Sequence, residues 1–234
     1  MSRDDANWAK PVSRLDPVVV AGAINENVRG RRLNPANGGF GRLFQKTFSV
    51  RISPAVTPQE IVATWKGHFG EFWPKGQRMF LPAGGIAPGE VGVINASIPG
   101  TPTMATGILV IYADDVSFSF MSPEGHPFAG PLTFSAYAAD DGVSVAQVQE
   151  LTRASDPFWE LAMMMPVLGE RMQNDIWRAT LRNLATRFEV AEPVVESKIV
   201  CVDSRRQWRN AKNIWQNAAI RSGLSAPARW VRRG

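Results

Sequence analysis

The sequence predicts an α+β domain over residues 46–188, in which an antiparallel sheet folds around a long C-terminal helix. Three observations carry this reading. Between Gln77 and Arg153, short β-rich runs recur roughly every dozen positions, separated by turn residues. One strand and a well-marked short helix precede them. After Asp156-Pro157 comes a long stretch whose apolar residues fall three and four apart.

A chain of 234 residues, 44% of them hydrophobic, suits one buried core with extensions better than two full domains. Residues 1–45 mix charge, Gly, Asn and Pro, as in Arg29-Gly30-Arg31-Arg32 and Asn37-Gly38-Gly39, and are expected to be an arm with little regular structure. Thr47 to Ile52 alternates as the first strand. Thr57-Pro58-Gln59-Glu60 then supplies an N-cap, a proline at the first helical position and a Glu three residues after the cap. This helix should bury Ile61, Val62 and Trp65, break near Gly67, and resume through Phe69, Phe72 and Trp73 until Pro74.

Six further strands are expected at about 77–81, 89–98, 104–112, 116–121, 128–138 and 143–153, making a seven-stranded curved sheet. Asp114-Asp115 and Asp140-Asp141-Gly142 mark tight turns. The long helix begins at the Asp156 cap and runs to Phe188 with a kink or break near 165–169, because Pro166 removes an internal hydrogen bond and Gly169 weakens the next turn. Residues 189–234 form an extension, in which 204–222 reads as one more helix carrying Trp208, Ala211, Trp215 and Ala218 on one side.

The order strand, two short helices, six strands, long helix is that of the helix-grip fold, and the chain resembles the Bet v 1-like, START-like (SRPBCC) superfamily over residues 46–188. Gly125-His126-Pro127, Gly130, Phe134 and Asp141-Gly142-Val143 are similar to an uncharacterised bacterial family of that superfamily with a Gly-His-Pro turn. The resemblance implies a cavity between sheet and helix that takes an apolar molecule, with some relatives being cyclases or dehydratases and others carriers. It transfers no catalytic residue, since fold is not function.

Candidate ligand contacts follow from strand alternation: Met104, Ile108 and Tyr112 share one face, as do Phe118 and Phe120, and Phe134 belongs to the next strand. Each of these is as well read as plain core. Trp159, Met163 and Met165 are candidates on the long helix, where flexible thioethers suit an irregular ligand and the break marks a possible opening. Gln147 and Gln149 are polar anchors if their face of the last strand points inward, and surface residues if it points out. His126, beside Glu124, and Tyr112 are the acid–base candidates, against the simpler reading of His126 as a turn residue.

Two histidines and the single Cys201 cannot build a standard structural zinc site, and no Gly-rich phosphate loop is present, so neither metal nor cofactor is expected. The first apolar run, Pro17 to Ile24, is too short to span a membrane and has no basic leader, so the expected location is cytoplasmic. The net charge of +5 is uneven, because the stretch from Arg205 onward holds eight basic residues and no acidic one. There Arg205, Arg206, Trp208, Arg209 and Trp215 are candidates for contact with a protein partner or an anionic membrane. Trp interleaved with Arg does not by itself give base readout, so nucleic acid is not the expected partner.

The leading expectation is non-enzymatic binding or carriage of a hydrophobic small molecule. The alternatives are a polyketide cyclase or dehydratase-like enzyme and a structural subunit or adaptor acting through its terminal extensions.

Overall fold

The computed structural model describes residues 4–25, 27–74, 76–97, 103–165 and 170–231. Its strands are β1 (Leu43–Arg51), β2 (Gln77–Phe80), β3 (Val91–Ala96), β4 (Met104–Ala113), β5 (Ser117–Met121), β6 (Phe128–Ala129), β7 (Pro131–Ala138), β8 (Ser144–Ala154) and β9 (Val195–Asp203). Its helices are α1 (Pro58–Gly67), α2 (Phe69–Phe72), α3 (Pro157–Met164), α4 (Glu170–Arg187) and α5 (Ala218–Val231), with a 3-10 segment at Trp208–Gln216. The sheet runs β2-β3-β4-β5-β7-β8-β1-β9, antiparallel throughout, with β6 paired to β8. It wraps α4, whose Trp177, Leu181, Leu184 and Ala185 share one core with residues of β1, β4, β5, β7 and β8. This is the helix-grip arrangement.

The local signals explain the elements. Thr57 Oγ1 accepts from the Glu60 amide at 3.2 Å while the Glu60 carboxylate accepts from the Thr57 amide at 2.7 Å, which pairs two N–H groups that α1 itself leaves unpaired. Asp114 accepts from the amides of Val116 and Ser117, closing the β4–β5 turn, and Gly142 takes the positive φ of 81° that the β7–β8 turn needs. Asp156 caps α3 by accepting from the Trp159 amide at 3.0 Å. That helix stops at Met164, and Met165 is extended, the conformation a residue before proline favours; the rest of the expected break, 166–169, lies outside the described residues.

Four expectations need correction. Among the described residues the sheet has nine strands, not seven. One addition is β9, from the expected extension, which hydrogen-bonds along β1. The other arises where the single strand expected at 128–138 divides at Gly130, whose φ of 129° turns the chain so that β6 and β7 pair with different parts of β8. A Cβ at Gly130 would lie 2.1 Å from the Leu151 carbonyl oxygen, so only glycine fits.

Third, β1 begins at Leu43, ahead of the expected Thr47. Fourth, the helix expected at 204–222 is two pieces joined at Asn217, whose side-chain oxygen caps α5 by accepting from the Ala219 and Ile220 amides. Trp208 and Trp215 are exposed, whereas Ala218 is buried.

Residues 4–42 hold little regular structure, yet they are packed. Leu15 and Val28 are buried against Phe80, Val93 and Leu109 in a second cluster, on the sheet face opposite α4. No helix among the described residues is long and apolar enough to cross a membrane.

Candidate functional site

Cross-strand rows place the core and the site relative to each other. In one row Phe118 faces Phe134, Phe134 faces Val148, and Val148 faces Phe48. Trp65 of α1 and Phe69 of α2 close this row, with ring centroids 5.2 and 5.1 Å from Phe134. The next inward-facing row runs Phe120, Leu132, Glu150, Lys46. Here the packing opens into a cavity of about 790 Å³, within the usual range for a small-molecule site.

Its walls are largely apolar: Met79, Ile94, Met104, Ile108, Phe120 and Leu132 from the sheet, Trp73 beyond α2, Trp159 and Met163 from α3, and Ile176 from α4. Exposed Ser97, Arg171 and Asp175 also line it, so the cavity reaches the surface between the end of β3 and the first turns of α4.

One end is polar. Glu150 and Lys46 are directly opposite in register and both are buried. Gln173 joins them: its Oε1 accepts from Lys46 Nζ at 2.8 Å, and its Nε2 donates to the two Glu150 oxygens at 2.8 and 3.0 Å. Trp177 Nε1 donates to Glu150 Oε1 at 2.5 Å, and Asn174 Oδ1 accepts from Lys46 Nζ at 3.2 Å. This network leaves the buried charges hydrogen-bonded, the condition for tolerating them in a core.

Of the expected ligand contacts, Met104, Ile108, Phe120, Trp159 and Met163 line the cavity. Phe118 and Phe134 are buried in the aromatic row beside it. Met165 is exposed and outside the lining. Gln147 and Gln149 share the face of exposed Leu151, away from the cavity, so the inward polar residues of β8 are Glu150 and Thr152.

Tyr112 is turned outward as well. A register shift between Val110 and Tyr112 flips the alternation of β4, so Ala113 enters the core while Tyr112 meets Trp8 edge-on, with ring centroids 4.7 Å apart. Its hydroxyl donates to Asp114 at 2.6 Å, and that bond, which favours the protonated phenol, pushes its pKa up to about 12.

The acid–base candidates are not assembled. Glu124 is turned to the Arg32 backbone amide and guanidinium, at 3.3 and 3.5 Å. His126 does line the cavity, and its Nδ1 lies 3.1 Å from both the amide nitrogen and the carbonyl oxygen of Phe128, accepting from the first or donating to the second according to its tautomer. Gly125 beside it has φ 89°, and a Cβ there would lie 2.1 Å from the Gln216 carbonyl, so the Gly-His-Pro turn is also where the 3-10 segment docks.

Burial lowers the His126 pKa to about 4, against a smaller opposing effect of the Phe128 backbone. The fold therefore favours the neutral ring. That contribution is complete above pH 6.5, the unperturbed value, and disappears as pH falls through about 4. It amounts to at most about 3 kcal/mol, and less where cavity water solvates the ring. In urea titrations between about pH 7 and about pH 4, His126→Gln should lose less stability than the native chain; equal losses would mean that the imidazole titrates normally.

Among the partner candidates, Arg205 is bound to Asp203 at 2.9 Å and Arg206 to Glu160 at 3.1 Å. Trp208 lies against Phe40 with 74% of its surface exposed, and Trp215 is 82% exposed. Asn210 and Asn213 donate side-chain hydrogen bonds to the backbone of Asn37, Gly38, Gly39 and Ser155. With three residues per turn, that anchoring puts Arg209, Lys212 and Trp215 together on the solvent side.

Residues missed from sequence are Glu150, Gln173, Trp177, Thr152 and Lys46. The apolar Ala146 and Val148 share a face with Glu150 and were the signal that could have oriented β8.

The strand order and the long helix that the sheet wraps make this a helix-grip fold. No protein-family model matches the sequence, and no curated protein matches it. Solved structures with some likeness include a protein from Mycobacterium smegmatis, 11% identical with TM-score 0.45, covering 63% of this chain and 92% of that one. Ara h 8.0201 is 16% identical with TM-score 0.44, covering 62% and 98%. The di-domain ARO/CYC StfQ from the steffimycin biosynthetic pathway is 13% identical with TM-score 0.43, covering 62% and 51%. Likeness at this level assigns no ligand and no reaction, and the fold assignment rests on the strand order and the helix that the sheet wraps.

Proposed function

We propose that the chain binds and carries a hydrophobic small molecule without transforming it. The observation that carries this reading is the 790 Å³ cavity, apolar along most of its wall with the hydrogen-bonded pair Glu150 and Gln173 at one side. That arrangement suits a ligand with an apolar body and a polar end. Trp73 Nε1, Thr106 Oγ1 and Trp159 Nε1, on side chains of the lining, have no hydrogen-bond partner among the described residues. These atoms are covered, so a ligand meets them only after a side-chain rotation; pairing them would favour acceptor oxygens over a pure hydrocarbon.

The cyclase or dehydratase reading has less support, because only His126 of its three candidates lines the cavity and its Nδ1 is already occupied. Titration with the apolar fluorophore 1-anilinonaphthalene-8-sulfonate tests the carrier reading. Uptake at one site should weaken at least about tenfold in Ile108→Trp, which fills the cavity. Uptake unchanged by that substitution would place the probe on the surface and count against the carrier.

Carriage needs a place to load, and α3 supports an anionic membrane in that role. Its Trp159 and Met163 line the cavity, while its Phe158, Leu161 and Met164, and Met165 just beyond it, are exposed. Beside it stands the 3-10 segment with Arg209, Lys212 and Trp215 on its solvent side. Apolar side chains flanked by cations match the interface of an anionic bilayer, where each basic residue contributes about 1 kcal/mol. Vesicles containing phosphatidylserine should bind the protein, and Arg209→Glu with Lys212→Glu should weaken binding at least about tenfold. Equal binding to neutral phosphatidylcholine vesicles, or none to either, would remove the membrane from the account and leave a protein partner for this surface.

A further inference from the structure

At one edge of the sheet, β9 is paired along one side to β1, and among the described residues no strand is paired to its other side. Residues 196–202 are all exposed, including Ile199, Val200 and Val202. Proteins usually protect an edge by keeping it short, by a bulge, by an internal proline or by charged side chains, and of the last β9 has only Glu196 and Lys198, whose opposite signs can pair, among its exposed residues. The opposite edge, β2, has only four residues. By contrast β9 has nine, and its one irregularity lies at the far end, opposite Leu43 and Phe44. An apolar edge of this length is a template for another strand.

We propose that β9 pairs antiparallel with β9 of a second copy of this chain, about a two-fold axis at Ser197, so that one sheet continues across the dimer. The charge pattern selects both the partner and the register. With Ser197 facing its own counterpart, Glu196 stands opposite Lys198 twice, Val195 opposite Ile199, and Val194 opposite Val200.

Moving the two-fold axis by one residue brings Lys198 against Lys198 in one direction and Glu196 against Glu196 in the other. Sliding so that Ile199 faces itself sets each charge against a valine. Opposite-sign cross-strand pairs stabilise a sheet and like-sign pairs oppose it, so of these registers only the one centred on Ser197 pairs Glu196 with Lys198. Pro193 bounds the ladder, having no N–H to give. A foreign strand has no such reason to match, whereas a second copy carries the complement by symmetry. This inference is independent of the cavity and its ligand.

Light scattering coupled to size-exclusion chromatography of the full chain tests it. The native protein should show twice its 25.7 kDa mass at about 100 μM and dissociate on dilution. Lys198→Glu, which sets two pairs of carboxylates against each other, should weaken the dimer at least about tenfold. The double exchange Glu196→Lys with Lys198→Glu restores both pairs and should restore the dimer, a recovery that a folding defect would not give.

In a Cys201→Ser background, Ser197→Cys should form a disulfide-linked dimer on mild oxidation, and Glu196→Cys should do so far less. A native chain that stays monomeric, a dimer indifferent to Lys198→Glu, or equal crosslinking at both positions overturns the proposal.

Discussion

Replacing Glu150 with Ala is expected to cost about 3–5 kcal/mol of folding stability, the range for removing one partner from a buried charged network. The carboxylate accepts hydrogen bonds from Gln173 and Trp177 and lies directly across the sheet from Lys46. Its loss leaves the Gln173 and Trp177 donors without their acceptor. For a chain of this size the melting temperature should fall by roughly 6–20 °C.

Lys46→Met with Glu150→Leu, which removes the charges on both strands, should recover part of that loss, because no buried charge is left unpaired, although Gln173 and Trp177 still lack their acceptor. Calorimetry of the single and double variants separates these terms. A loss below about 1 kcal/mol for Glu150→Ala would mean that the carboxylate is solvated from the cavity and that the network is not closed.

Trp65→Ala should be as costly, about 3–5 kcal/mol, for a different reason. Its indole is fully buried and meets Phe118 and Phe134 edge to face, so truncation leaves a void that a β-sheet row cannot collapse to fill. Since Trp65 is absent from the cavity lining, the folded fraction of this variant should still take up an apolar probe with affinity close to that of the native chain. Chemical denaturation followed by probe titration in native buffer checks both parts. Lost uptake by the folded fraction would show that the aromatic row shapes the cavity and does not merely close one end of it.

The sequence made most of the fold legible where a local rule decides it. The capping box of Thr57 and Glu60, the Asp114 and Gly142 turns, the Asp156 cap and the break before Pro166 are each set by a few neighbouring residues. β9 was not legible for the opposite reason. Its Glu196 and Lys198 give no buried face to read, and its pairing with β1 joins segments some 150 residues apart.

The site divided the same way. Alternation oriented Met104, Ile108 and Phe120 correctly, but it gives a face of the sheet and not a place along it, so it could not tell the cavity row from the aromatic row of Phe118 and Phe134. Tyr112 fell on the wrong side because a bulge breaks the alternation that its assignment used. Gln147 and Gln149 were a register question that the neighbouring Ala146 and Val148 answer. Glu150 escaped notice because a carboxylate in an otherwise apolar row makes sense only once Lys46, Gln173 and Trp177 are seen to converge on it.

The central claim is that the space between sheet and α4 is a ligand site. Native mass spectrometry of the full chain, purified from its own source without denaturation, tests it most directly. A ligand site there should yield a population heavier than 25.7 kDa by one small apolar molecule, released on unfolding and displaced by 1-anilinonaphthalene-8-sulfonate. Bare protein alone, together with a folded chain that takes up no apolar probe at saturating concentration, would contradict it.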